Sequence, residues 1–342
     1  MFGALSTVTA TYVVKSLSVL ITVGVLCQAT DEGNLFSYLQ AWTLADVDTL
    51  ADSVNPKNEE EMLTECGVVD DPELLPRVFG GHVARPDQYP WMAYLSSGFL
   101  NSNGEEFDYF LRCGGSLISN RHVLTAAHCV RNRNDEFKLN RVIIRLGAYN
   151  LVEHNPWEKN YEIYPQDVIV HHQYDPESLF NDISVIRLPE NTQFKENIRP
   201  ICLPFNYVMD KYEDEGESVK AAGWGTTNPY SYGRRSDVLK VSEETLLSKR
   251  ACSKRIGVNN FNIDTEICTT YSYHGGITCK GDSGGPLMTI KKYTPYSTKA
   301  FVIGVTSHEP AIELELSCGT GYPSVYTDVS AYLEWILEIM EE

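Results

Sequence analysis

Cys279-Lys280-Gly281-Asp282-Ser283-Gly284-Gly285-Pro286 sets a serine among three glycines and next to an acid. A serine hydroxyl is inert at neutral pH unless a base takes its proton. Glycines beside it let the backbone N–H groups of Gly281 and Ser283 point at an oxygen that gains charge during reaction. A side chain at Gly281 would crowd the approach of a carbonyl. Two other stretches supply what such a serine lacks. Leu124-Thr125-Ala126-Ala127-His128-Cys129 offers an imidazole, able to accept a proton near neutral pH and return it. Asn181-Asp182-Ile183-Ser184-Val185-Ile186-Arg187-Leu188 offers a carboxylate to fix the imidazole's tautomer and stabilise its cation. His128, Asp182 and Ser283 are therefore the candidate triad for cleaving an amide.

Around these motifs the chain reads as short strands. Val142-Ile143-Ile144-Arg145-Leu146, Val168-Ile169-Val170 and Phe301-Val302-Ile303-Gly304-Val305 are strand-like runs. Asn155-Pro156, Asn228-Pro229 and Gly275-Gly276 break such runs, which is the spacing of an all-β sandwich or barrel. One helix is expected at the end, capped by Ser330, with Tyr332, Trp335, Ile336 and Ile339 on its apolar stripe.

The three motifs, in the order His, Asp, Ser, resemble those of the trypsin/chymotrypsin family of serine peptidases, and the resemblance runs over residues 78–342. It implies two six-stranded antiparallel β-barrels with a C-terminal helix, His128 and Asp182 in the first barrel and Ser283 in the second. It also implies disulfides Cys113–Cys129, Cys252–Cys268 and Cys279–Cys318, with Cys66 pairing to Cys202. Sequence alone leaves 105 pairings open for eight cysteines.

Nine cysteines is odd, and Cys27 accounts for it. It ends an apolar run over residues 17–27, behind Lys15 and ahead of the small residue Ala29, as in an export signal. The run is short for a bilayer span. Removing residues 1–29 leaves eight cysteines, an even set suited to an oxidising compartment. The expectation is a secreted, extracellular protein without N-glycosylation, since no Asn-x-Ser/Thr occurs.

Residues 30–77 carry twelve Asp/Glu against Lys57 and Arg77, a net of −10, whereas the chain as a whole carries −18. This front stretch has little apolar material and one cysteine, Cys66, so it reads as an acidic propeptide or light chain. It resembles the front of insect clip-type zymogen proteases but lacks their six-cysteine module. Pro76-Arg77-Val78-Phe79-Gly80-Gly81 resembles the family's activation junction. The resemblance implies a cut after Arg77 by an upstream trypsin-like protease, and a Val78 ammonium that turns inward onto Asp282. Phe79 departs from the branched aliphatic residue usual there.

The residue six before the nucleophile, an aspartate in trypsin-like members, is Ile277, followed by Thr278. An apolar floor does not compensate a buried cation, so a small or medium apolar residue is expected before the scissile bond. Ser307-His308-Glu309 stands where the family usually has Ser-Trp-Gly, and Ser324 replaces a glycine, so Ser307, Glu309 and Ser324 complete the candidate pocket. Glu309 is the residue that would instead draw a basic side chain.

No cofactor or metal is expected. Leu146-Gly147 is followed by Ala148 rather than the glutamate of a calcium loop, and Glu153, Glu158 and Glu162 read as solvated charges. His171-His172, as strand neighbours, should face opposite sides. An acidic chain with no long Lys/Arg run makes nucleic acid an unexpected partner, and no membrane partner is expected either. Expected partners are a protein substrate, the activating protease and a serpin-type inhibitor. Two other readings are a non-catalytic homologue used as a binding scaffold and a digestive protease.

Overall fold

Along Lys240–Leu246 buried and half-exposed side chains roughly alternate, the mark of a strand with one face on a core. Strands of this kind build nearly all of the computed structural model. It describes residues 65–69, 82–105, 111–132, 137–153, 155–205, 216–227, 235–271, 278–294, 297–308 and 323–342. The chain divides into residues 1–55 and 56–342, and every described residue belongs to the second unit.

The first half holds β2 (Met92–Leu100), β3 (Leu111–Leu117), β4 (His122–Thr125), β5 (Lys138–Leu146), β6 (Lys159–Ile163), β7 (Val168–Val170) and β8 (Ser184–Arg187). They form an antiparallel sheet in the order β6-β5-β2-β3-β4-β8-β7. The long β2 pairs with β3 on one side and β5 on the other, with a bulge between Gly98 and Phe99 that bends it. Its end strands β6 and β7 are not hydrogen-bonded to each other, which leaves this half a curved half-barrel among the described residues.

The second half holds β9 (Ser218–Gly223), β10 (Lys240–Leu246), β11 (Glu266–Tyr271), β12 (Pro286–Thr294), β13 (Ser297–His308) and β14 (Ser324–Asp328). Here β9 pairs with both β10 and β12, so the six strands close into a barrel. The short β1 (His82–Val83) adds to the outside of β10. Val219, Leu246, Ile267, Leu287, Ile303 and Tyr326 fill part of its interior. The fold is chymotrypsin-like, as the motifs led one to expect, and it ends in a helix.

Helix α1 (Lys249–Ile256) starts at Ser248, whose hydroxyl accepts from Ala251 N, and Cys252 ties it to Cys268 on β11. Helix α2 (Leu333–Glu341) follows a 3-10 turn, Val329–Tyr332. The side chain that caps this turn is Asp328, accepting from Ser330 N, and not Ser330 as expected. Asp328 stands two positions earlier, where its side-chain oxygen can reach the first free N–H of the turn. Tyr332, Ile336 and Ile339 are buried against the body.

A short strip of the front segment, residues 65–69, lies against the second barrel. Cys66 is bonded to Cys202, Gly67 N donates to Pro200 O (2.8 Å), and Ala300 N donates to Gly67 O (2.9 Å). Gly67 has φ +61°, and a Cβ there would run into Ala300 O and Cys202 Sγ. The buried Lys299 donates from Nζ to Cys66 O (2.7 Å).

Candidate active site

The seam between the two halves collects the motif residues. His128 lies on a 3-10 turn, Ala127–Cys129, directly after β4, and the Cys113–Cys129 disulfide pins that turn to β3. Asp182 precedes β8, after Asn181, which takes the left-handed φ of +56°. Tyr332 OH donates to Asn181 Oδ1 (2.7 Å) and helps hold that turn. Ser283 lies in the loop before β12, and its carbonyl accepts from Gly114 N of the first half (2.7 Å).

Asp182 is fully buried and spends both oxygens on His128. Its Oδ2 lies 2.7 Å from His128 Nδ1, and its Oδ1 accepts from His128 N at 2.9 Å. Burial alone would push this carboxyl up. The electrostatic attraction of His128 and hydrogen bonds from His128 and Ser307 outweigh it and hold Asp182 below its ordinary value. The imidazole is thereby fixed in the tautomer with its proton on Nδ1, leaving Nε2 to accept.

The Ser283 side is less complete. No hydrogen bond joins its Oγ to the His128 ring. Catalytic hydrogen bonds often tighten only when substrate binds. Neither Gly281 N nor Ser283 N donates to another described residue. Gly281 has φ +101°, and a Cβ there would lie 2.9 Å from Arg235 Nε. Asp282 is turned inward, its carboxylate accepting from Gly225 N (2.7 Å) and Cys279 N (2.9 Å). Burial pushes its carboxyl up to about 6.

Of the pocket candidates, Thr278 and Ser324 are described and lie together, Thr278 Oγ1 donating to Ser324 Oγ at 3.2 Å. Ser307 does something else. Its hydroxyl donates to Asp182 Oδ2 at 2.6 Å, so it braces the carboxylate rather than lining the pocket with a free hydroxyl. Arg77, Val78, Ile277, Glu309 and Cys318 lie outside the described residues. Cys279 is disulfide-bonded.

Two surface expectations need correction. Glu158 is not a solvated charge: its side chain is 3% exposed and pairs with Arg145 at 2.8 Å, because β5 and β6 bring the two together. Glu162 pairs with Arg141 at 3.0 Å and stays exposed. His171 and His172 do not face opposite sides either. They fall just past β7, in a turn, and their rings lie 4.6 Å apart. His171 packs edge-on against Tyr332 and Trp335, which explains it as a docking residue for α2. Among the described residues the cluster with metal-like spacing is Cys113, His128 and Cys129, and its two sulfurs are joined to each other.

The signal that sequence reading missed is Glu244. It takes an inward position on β10, in line with Ser242 and Leu246, and is completely buried. An acid at an inward strand position was the available clue.

A half-barrel and a closed barrel of antiparallel strands, with these groups at their seam, define a chymotrypsin-like serine endopeptidase. A family model described as Trypsin matches residues 78–336, and the chain belongs to that family. It is similar to a CLIP domain-containing serine protease of Bombyx mori, 32% identical over 81% of this chain and 72% of the relative. A venom serine protease of Bombus ignitus is 35% identical over 78% of this chain and 69% of its own length. The phenoloxidase-activating factor 3 of Holotrichia diomphalia is 33% identical over 80% and 74%.

Proposed function

We propose that this chain is the precursor of a secreted serine endopeptidase that attacks peptide bonds with Ser283. His128 takes the proton from Ser283 Oγ and passes it to the leaving amine. Asp182 orients the imidazole and stabilises its cation, and the amides of Gly281 and Ser283 receive the oxyanion. The observation that carries this reading is the buried Asp182 holding His128 by both ring and backbone.

In this reading residues 1–29 are the leader, 30–77 the acidic light chain and 78–342 the catalytic body. A cut after Arg77 frees the Val78 ammonium to pair with Asp282. Asp282 suits that part, being half-buried, beside Ser283, and held by neutral amides. Leaving such a charge unpaired is costly, so the pair serves as a switch. Among the described residues no helix is long and apolar enough to cross a membrane. A relative that is a phenoloxidase-activating factor favours a place in an extracellular cascade, with a protein substrate, an upstream activating protease and a serpin-type inhibitor.

The residue taken before the scissile bond is a separate matter. Ile277, on which an apolar preference rested, lies outside the described residues, and Thr278 and Ser324 present hydroxyls.

The test is active-site labelling. The secreted precursor, once cut after Arg77, should be labelled by a fluorophosphonate, and the Ser283→Ala variant should not. A cut wild-type chain that takes no label would leave the protein a binding scaffold on a protease fold.

A further inference from the structure

Among the described residues, Glu244 of the closed barrel is a buried acid with no counter-charge. Its side chain has no exposure. Its Oε1 accepts from Ser242 Oγ (2.8 Å) and Thr278 N (3.1 Å). Its Oε2 accepts from Tyr326 OH (2.6 Å) and from Thr269 Oγ1. All four partners are neutral donors, and among the described residues no Lys, Arg or His pairs with it. Four donors converging on two oxygens is the arrangement a carboxylate wants and a protonated carboxyl cannot fully use. Burial pushes the Glu244 carboxyl up, and the hydrogen bonds from Thr269, Tyr326, Ser242 and Thr278 oppose that push.

Its position gives the reason. Glu244 lies directly behind Thr278, the residue five before Ser283, and its charge is felt at Asp282. In front of the carboxylate stand the hydroxyls of Tyr326, Thr278 and Ser324, the last two being the candidate pocket residues. Tyr326 gives its only proton to Glu244, so its oxygen can only accept. Thr278 Oγ1 sits 3.1 Å from that oxygen and 3.2 Å from Ser324 Oγ. Thr278 gives its proton to Ser324 Oγ, so these three hydroxyls form the layer between the carboxylate and whatever enters.

We propose that Glu244 is the specificity-determining acid of the substrate pocket, giving it an anionic floor that selects a Lys or Arg side chain before the scissile bond. The charge comes from β10, behind Thr278, and not from the sequence position six before the nucleophile. This inference rests on the endopeptidase reading of Ser283 and on Thr278 and Ser324 as pocket residues. A purely architectural Glu244, tying β10, β11, β14 and the Thr278 loop together, would slow every substrate alike.

The experiment uses the secreted chain cut after Arg77 and peptides with Arg, Lys, Leu, Ala or Phe before the cleaved bond. Rates are taken per fluorophosphonate-labelled enzyme, so misfolded material does not count. Wild type should favour Arg or Lys, and Glu244→Gln should lower the Arg-to-Leu ratio of kcat/KM by roughly a hundredfold, the scale for unpairing a buried charge. As a check that needs no variant, an aryl amidinium should protect wild-type Ser283 from label, and its neutral amide analogue should not. A wild-type preference for Leu, Ala or Phe overturns the proposal while keeping the triad. So does an equal loss on all substrates in Glu244→Gln, or no protection by the amidinium. A cut wild-type chain that takes no label removes the endopeptidase reading, and this inference goes with it.

Discussion

Asp282 shows how much one buried carboxyl can govern. Burial raises it from its ordinary 3.8 to about 6, and the charge of Glu244 adds to the shift. Below pH 4 the group is protonated in folded and unfolded chains alike. Between pH 4 and 6 the folded chain keeps its proton while the unfolded chain loses it. The intact chain therefore loses stability as pH rises through that window, by about 3 kcal/mol from this group. Asp282→Asn should flatten the pH dependence of the precursor's denaturation midpoint between pH 4 and 6, yet leave the cut protein without activity. An unchanged slope would show that Asp282 has a partner the precursor already supplies. At this scale the sequence was most legible where chemistry dictates residue type. His128, Asp182 and Ser283 stand in short contiguous strings, since a base, an orienting acid and a nucleophile admit few substitutes. Ser307 on Asp182 and Glu244 under Tyr326 were not legible. Their contacts span 125 and 82 positions, and nothing local announces them.

Elements were readable in part for a related reason. The apolar runs at Val142–Leu146, Val168–Val170 and Phe301–Val305 fall within β5, β7 and β13. Their pairing did not follow from alternation, because the link that closes the second barrel runs between β9 and two partners remote from each other in sequence. The last helix was found by its stripe, whereas its cap was misplaced by one or two residues, the usual uncertainty at a helix end. Helix α2 draws its stability from that stripe, since nine residues are too few to hold a helix alone. Ile336→Ala should lower unfolding free energy by about 2–5 kcal/mol, and Trp335→Ala should cost less because Trp335 is only partly buried. Chemical denaturation checks both. Equal effects would mean the helix is held by its ends, where Arg187 Nη2 donates to Ile339 O and reaches Glu342.

For the molecule as a whole the decisive feature is that neither half holds the site alone. Asp182 belongs to the first sheet, but its carboxylate is braced by Ser307 and its backbone carbonyl by Thr327 Oγ1 (2.8 Å), both from the second barrel. Ser283 belongs to the second barrel, and its carbonyl is caught by Gly114 of the first half. The front strip is joined in the same way, by Cys66–Cys202. After a cut at Arg77 the protein should run as one band on a denaturing gel and resolve into two only when reduced. Two bands without reductant would mean that Cys66 is not bonded in the secreted protein. That single sulfur link has a wider meaning. Proteolysis at Arg77 would rewrite the chain's connectivity and add only one water to its mass, so the molecule that gains an activity diffuses as the molecule that lacked it. Any receptor or surface gripping the acidic piece would keep the active body within millimolar reach. Switching on and letting go would then be separate events, the first answering to a protease and the second to the redox state of the surroundings.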